Sequence, residues 1–229
     1  MLKHIKQVNE NSFLLDFGDI IDVAISKYLI NFSNYIINDK KNIKKLGIKN
    51  CTPSFNKILL QFDPISSSKK KIIKYLEKIE VQKLETKNKL IEIPICYEKE
   101  FGIDINEIAN VNNLTVGELI NIHLNTIFHV YMIGFIPGLP FMGDINFEIN
   151  IQRKLSPRLS LPKGSVGIVN KLCVIYPNQS PGGWNIIGRT PINLFFKNNK
   201  NPLLINPGDR VKFIKISKEQ FNKFIEKDE

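Results

Sequence analysis

The stretch Gly134-Phe-Ile-Pro-Gly-Leu-Pro-Phe-Met-Gly143 sets the character of the second half of this chain. Proline removes a backbone donor and glycine costs about 1 kcal/mol in a helix interior, so three glycines and two prolines in ten residues exclude a helix. The pattern continues downstream. The 75 residues from Gly134 to Gly208 hold 9 of the 13 glycines and 9 of the 12 prolines of a 229-residue chain. Phe, Ile, Leu and Val fill the intervals, which predicts short strands joined by fixed turns and argues against disorder. Strands are expected at residues 166–170, 172–176, 184–188, 194–196, 203–205 and 210–216, after a strong one at 126–135 and before a helix at 218–225. Short strands at this spacing predict a barrel or sandwich.

Upstream the punctuation is sparse. Residues 12–17 alternate like a strand, and Asp19 is placed to cap a helix reaching about Ile37, with Ile21, Ala24, Ile25, Tyr28, Leu29, Phe32 and Ile36 at helical spacing. Strand-like runs follow at 48–51 and 57–62, then a second amphipathic helix carrying Ile72, Ile73, Leu76 and Ile79, then a strand over Leu90 to Tyr97. The order β-α-β-β-α-β predicts an α+β, ferredoxin-like sandwich over residues 1–97. Residues 98–125 read as a helical connector, in which Thr115 and Glu118 form a capping box, and residues 126–229 as the β domain.

Lys and Arg together number 32 against 22 Asp and Glu, a formal charge of +10. The first 152 residues contain 18 Lys and no Arg, whereas Arg153, Arg158, Arg189 and Arg210 all fall in the last third. Scattered lysine without an aromatic-basic module predicts no nucleic-acid partner. Lys69, Lys70, Lys71 and Lys74, at the start of the second helix, read as a solvated face. Three widely spaced cysteines indicate neither a disulfide framework nor a metal site, and the apolar run 128–143 is interrupted by proline, so a cytoplasmic protein without membrane attachment is expected.

Phosphate-loop, nucleophile-elbow and HExxH patterns are missing. Three loops stand out instead: 134–143, Ser156-Pro-Arg158 through Gly167, and Ser180-Pro-Gly-Gly-Trp184 with Ile187-Gly-Arg-Thr-Pro191. Candidate ligand contacts on them are Gly134, Pro137, Gly138, Arg153, Arg158, Lys163, Ser165, Ser180, Gly182, Gly183, Trp184 and Arg189. A guanidinium presents a planar fork to carboxylate or phosphate, so Arg158 and Arg189, with His123 at a helix end, are also the catalytic candidates. Two jobs stay open for each arginine: holding a ligand, or pinning loop carbonyls or an aspartate.

At these loops the sequence resembles a known family. His129 through Gly143, Pro157-Arg158, Pro162-Lys-Gly-Ser-Val-Gly-Ile168, Ile175-Tyr-Pro177, Ser180 to Trp184, Ile187 to Pro191 and Asn206-Pro-Gly-Asp209 follow the order of the family of B-type 5-oxoprolinase subunits, also called the kinase-A inhibitor KipI or allophanate hydrolase subunit 1 family. Ile93-Pro-Ile-Cys-Tyr97 and Phe101-Gly102 fit it as well. The resemblance implies a cyclophilin-like barrel after a small α+β domain. It also implies joint action with two other 5-oxoprolinase subunits, a homologous C-type barrel and a separate A-type chain, in opening 5-oxo-L-proline to L-glutamate at the expense of ATP, the ATP belonging to the complex. Other roles carried by the family name are binding of a sensor histidine kinase and association with an allophanate or urea carboxylase system. The sequence departs from the family where a Gly-x-Gln-Thr-Gly stretch is replaced by Asn170, Lys171, Leu172, Cys173 and Val174, and at Leu139, Asp144 and Lys163.

Overall fold

The structure is a computed structural model that describes residues 2–80, 88–145 and 147–228. It forms two compact units, Met1–Lys87 and Asn88–Glu229.

The first unit contains β1 (His4–Asn9), β2 (Ser12–Asp16), α1 (Val23–Asn38), α2 (Lys40–Leu46), β3 (Ile48–Pro53), β4 (Lys57–Phe62) and α3 (Lys69–Glu77). The cap of α1 is Asp22, not Asp19: its carboxylate accepts from the N–H groups of Ala24 and Ile25. The apolar stripe of α1 buries Leu29, Phe32 and Ile36 against a sheet of order β1-β2-β4-β3, where Phe13 and Phe62 stack at 5.1 Å. Here the ferredoxin-like expectation is corrected. The strand expected to close this sheet, Leu90–Tyr97, lies in the second unit, and the N-terminal hairpin strand β1 takes the edge beside β2. Helical spacing and alternation identify an element but not its pairing partner, and β1 alternates too weakly to announce itself, having one half-buried residue among five exposed.

The second unit begins with β5 (Leu90–Ile95), α4 (Ile105–Val111) and α5 (Val116–Asn125), the last capped by the reciprocal Thr115–Glu118 box. It continues through β6 (Ile127–Ile133), β7 (Pro140–Gly143), β8 (Arg158–Leu161), β9 (Ser165–Val169), β10 (Leu172–Ile175), β11 (Ser180–Gly182), β12 (Asn185–Arg189), β13 (Arg210–Lys215) and α6 (Lys218–Asp228). Seven of these strands form a mixed sheet of order β12-β9-β10-β7-β6-β13-β5, with β5 parallel to β13. Its two edges meet, because Cys96 and Arg189 exchange a pair of backbone hydrogen bonds of 2.9 Å each. The sheet is therefore curled around a core of Ile95, Phe128, Val130, Ile168, Ile175 and Phe213, and the helices expected as a connector add Ile105, Ile108 and Leu119 to that same core. Residues 194–196 and 203–205, expected as strands, meet only at one bridge, Phe195 to Leu203. Asn170 closes the β9–β10 turn with φ +49, the left-handed region that accounts for asparagine where the family pattern has glycine.

No helix among the described residues is long and apolar enough to cross a membrane. All three cysteines are free and buried.

Candidate functional site

The roots of the three loops share a second apolar cluster on the curled sheet. Leu139 from the first loop, Leu161 from the second, and Tyr176 and Trp184 around the third pack together, with the Trp184 ring set edge-on to Phe141 at 5.9 Å. Trp184 is thus buried structure, 6% exposed. Strands β8 and β11 form a small separate sheet that places Arg158 opposite Gly182 and Leu161 opposite Ser180. Gly182 is needed there because a Cβ would stand 2.2 Å from the Tyr176 hydroxyl.

Beneath this small sheet lies a residue that no sequence motif singles out. Asp104, 3% exposed at the start of α4, accepts from Arg158 Nη2 at 2.6 Å and from the Ile186 N–H at 2.7 Å, and pairs with Lys154 Nζ at 3.4 Å. Its own N–H donates to Ile186 O at 2.9 Å, and the Lys154 N–H donates to Gly183 O at 2.8 Å. One carboxylate therefore ties α4, β8, β12 and the Gly182-Gly183 turn into a rigid base. A short polar residue before an apolar helix reads as a cap, so the signal for Asp104 was hidden behind a commoner use of aspartate.

Arg158 is one-sided. Nη2 is held by Asp104, whereas Nη1 and the Ser180 Oγ are both buried without a hydrogen-bond partner. Buried donors left in this state are uncommon, and each can donate to an ordered water, a ligand or a partner group. Around them Arg153 is exposed, and Leu155 and Leu159 are 102% and 92% exposed, an apolar pair standing in solvent on the same segment.

The other candidates form a separate group. Arg189 Nε donates to Lys163 O at 2.7 Å, its guanidinium lies 5.5 Å from the Phe221 ring centre, and Ser165 Oγ donates to Pro162 O at 2.7 Å. Arg189 and Ser165 thus pin the Pro162–Ser165 turn to β12 and α6. Gly134, Pro137 and Gly138 lie on the first loop, where Gly138 has φ +84 and its α-carbon faces Phe195.

His123 lies inside the core, 2% exposed, between Phe213 and Phe128 at ring separations of 4.4 and 5.1 Å. Its Nδ1 is 2.7 Å from the Tyr97 hydroxyl and its Nε2 3.7 Å from Cys173 Sγ. A neutral ring protonated on Nε2 satisfies both contacts, with Tyr97 donating to Nδ1. Burial lowers its pKa to about 3 and raises those of the Cys173 thiol and Tyr97 phenol, so burial favours the uncharged form of all three at neutral pH. The folded pKa lies below the unfolded value of 6.5, so the unfolded chain takes up the proton first. The His123 contribution is intact above about pH 6.5 and erodes by about 1.4 kcal/mol per pH unit below it. Replacing His123 with Gln should lower stability at pH 7 yet flatten the acid limb between pH 6.5 and 4, measured as denaturant midpoints. An unchanged slope would contradict the buried neutral ring.

Residues 3–205 match the family described as carboxyltransferase domain, subdomain C and D. The B-type 5-oxoprolinase subunit of Bacillus subtilis is 34% identical over 97% of this chain and 96% of its own length. The urea amidolyase of Saccharomyces cerevisiae is 25% identical over 96% of this chain, which spans 14% of that longer protein. The crystal structure of TTHA0988 superposes with a TM-score of 0.79 at 26% identity, covering 90% of this chain and 40% of that one. On this sequence match over nearly its whole length, and with the curled sheet and loops that carry the motifs, the chain belongs to the carboxyltransferase subdomain C and D family that includes the B-type subunits of 5-oxoprolinase.

Proposed function

We propose that this chain is the B-type subunit of a heteromeric, ATP-dependent 5-oxoprolinase that opens 5-oxo-L-proline to L-glutamate in the cytoplasm, together with an A-type subunit and a homologous C-type one. The end-to-end match to the B-type 5-oxoprolinase subunit carries the reading. A lactam is resonance-stabilised. Transfer of the ATP γ-phosphoryl to its oxygen gives a carbon that water attacks, with cleavage of the ring C–N bond and release of phosphate and ADP. This chain brings to that chemistry a rigid cyclophilin-like barrel, loop amides, and Arg158, whose unpartnered Nη1 suits an oxyanion, whether substrate carboxylate or phosphate, with the unpartnered Ser180 Oγ on the paired strand β11. Asp104 is already paired with Arg158 and Lys154, and His123 is sealed in the core, so neither is placed to act as a general acid or base.

The purified chain alone should release no ADP with 5-oxoproline, and adding the A-type and C-type partners should give 5-oxoproline-dependent ADP release. Full activity of the isolated chain, or equal activity of the two partners without it, would overturn the reading. The similarity to urea amidolyase favours a second one, a component of an allophanate or urea carboxylase system. Under it, a biotin-carrying protein replaces the A-type partner in co-purification from native lysate.

A further inference from the structure

The first unit concentrates lysine on two short helices. Helix α2 has four lysines in seven residues and α3 four in nine, with Lys78 at its C-cap. The helices flank a cleft of about 310 Å³ into which α2 contributes Lys45 and α3 contributes Lys71, Lys74 and Lys78, over a floor of Leu46 and Tyr75. No lining residue of that cleft is acidic, and none of the four lysines has a carboxylate within ion-pair distance among the described residues. The floor is fixed, because the Tyr75 hydroxyl donates at 3.0 Å to Asp39, whose carboxylate also accepts from the backbone and side-chain N–H groups of Asn42.

This arrangement opposes the stability of the helix that carries it. Lys71, Lys74 and Lys78 lie three, four and seven residues apart on one face and repel one another. Lys69, Lys70 and Lys71 stand at the positive end of the α3 dipole, where the first turn has no acidic residue and Ser68 makes no side-chain capping bond. The helix is retained by its buried Ile72 and Leu76. A lysine-rich composition by itself spreads charge over the exposed surface, whereas here it converges on one concave site without an ion pair among the described residues, a local conflict of the kind found at binding sites.

We infer that the α2–α3 cleft binds a polyphosphate chain, of the kind that inorganic tripolyphosphate and nucleoside triphosphates share. Lysine suits this ligand as a mobile point charge, and four of them match the charge of a triphosphate. The inference concerns this chain by itself and stands or falls apart from the 5-oxoprolinase reading.

The test is calorimetric titration of the full chain with tripolyphosphate in 150 mM KCl. One saturable site is expected, with a rise in the melting temperature as the bound anion relieves the repulsion. The triple variant Lys71→Gln, Lys74→Gln, Lys78→Gln should bind at least tenfold more weakly while keeping its helical signal, because glutamine retains helix propensity and removes the repulsion. The matched set Lys6→Gln, Lys99→Gln, Lys197→Gln, which removes the same charge from exposed positions outside the cleft, should change affinity less than twofold. ATP should displace tripolyphosphate and AMP should not. Absence of a saturable site, equal weakening by both triple variants, or displacement by AMP as readily as by ATP would each overturn the inference.

Discussion

Alanine at position 164 is expected to destabilise the second unit by more than about 3 kcal/mol, whereas alanine at position 183, in the other glycine turn of the candidate site, should change stability by less than about 1 kcal/mol. Gly164 has φ +83, and a Cβ built on it would stand 2.0 Å from the carbonyl oxygen of Thr190. The left-handed conformation alone costs a residue with a Cβ about 1–2 kcal/mol. Relief by local movement is blocked, because the Gly164 N–H donates to Tyr176 O at 2.7 Å and its carbonyl accepts from the Thr190 N–H at 2.9 Å. Moving the turn away from Thr190 breaks both bonds, at about 1 kcal/mol each. Gly183 differs on each count: its φ is not positive and its nearest neighbour, Lys154 O, would be 3.5 Å from the new carbon. Melting temperatures of the two variants decide the matter, and a Gly164→Ala protein as stable as its parent would show that the Pro162–Ser165 turn is not fixed as described. The same substitution should displace Lys163 and Arg189, which are held by one bond across that turn.

What was legible in the sequence follows from what each signal measures. Helices α1, α3, α4, α5 and α6 were legible because a helix buries a stripe set by its own local spacing. Strands β7, β8 and β11 were hidden inside the glycine- and proline-rich loops. Pro140 begins its strand and Pro181 sits in a two-stranded ribbon, the positions where a sheet tolerates a missing donor, so the residues that predict turns also occur at a strand's first residue and on an edge. The expectation that Leu90–Tyr97 closes the N-terminal sheet is overturned for a different reason. Its parallel partner β13 starts 120 residues later, and no local pattern encodes a pairing at that distance. At the site, the rarity of arginine in a lysine-rich chain pointed to Arg158 and Arg189, but their roles diverge only in three dimensions. Arg189 holds a backbone carbonyl, and Arg158 holds a carboxylate while keeping one nitrogen unpartnered.

The largest effect at the site itself should come from Asp104. Removing one member of a buried ion pair leaves the other charge uncompensated, at about 3–5 kcal/mol. Arg158 is 32% exposed, so water recovers part of its solvation and Asp104→Ala should lie near the lower end of that range. The Ile186 N–H, buried in β12, is stranded by the same change and adds the cost of an unmade hydrogen bond, about 1–3 kcal/mol. Asp104→Asn keeps one oxygen as an acceptor and should lose less than half as much as alanine. Adding Arg158→Met to Asp104→Ala should restore part of the loss, because it removes the uncompensated guanidinium, and the double-mutant cycle read from denaturant midpoints measures the coupling. A loss below about 1 kcal/mol for Asp104→Ala would mean that the carboxylate is not the base of the site. Arg158→Lys then separates the two faces of the arginine. It keeps the net charge and a cation for Asp104 but supplies no second nitrogen in the position of Nη1. If the variant folds like its parent yet fails to assemble with its A-type and C-type partners or loses 5-oxoproline-dependent ADP release, the unpartnered edge of the fork is the part of this chain that meets the ligand or the partner.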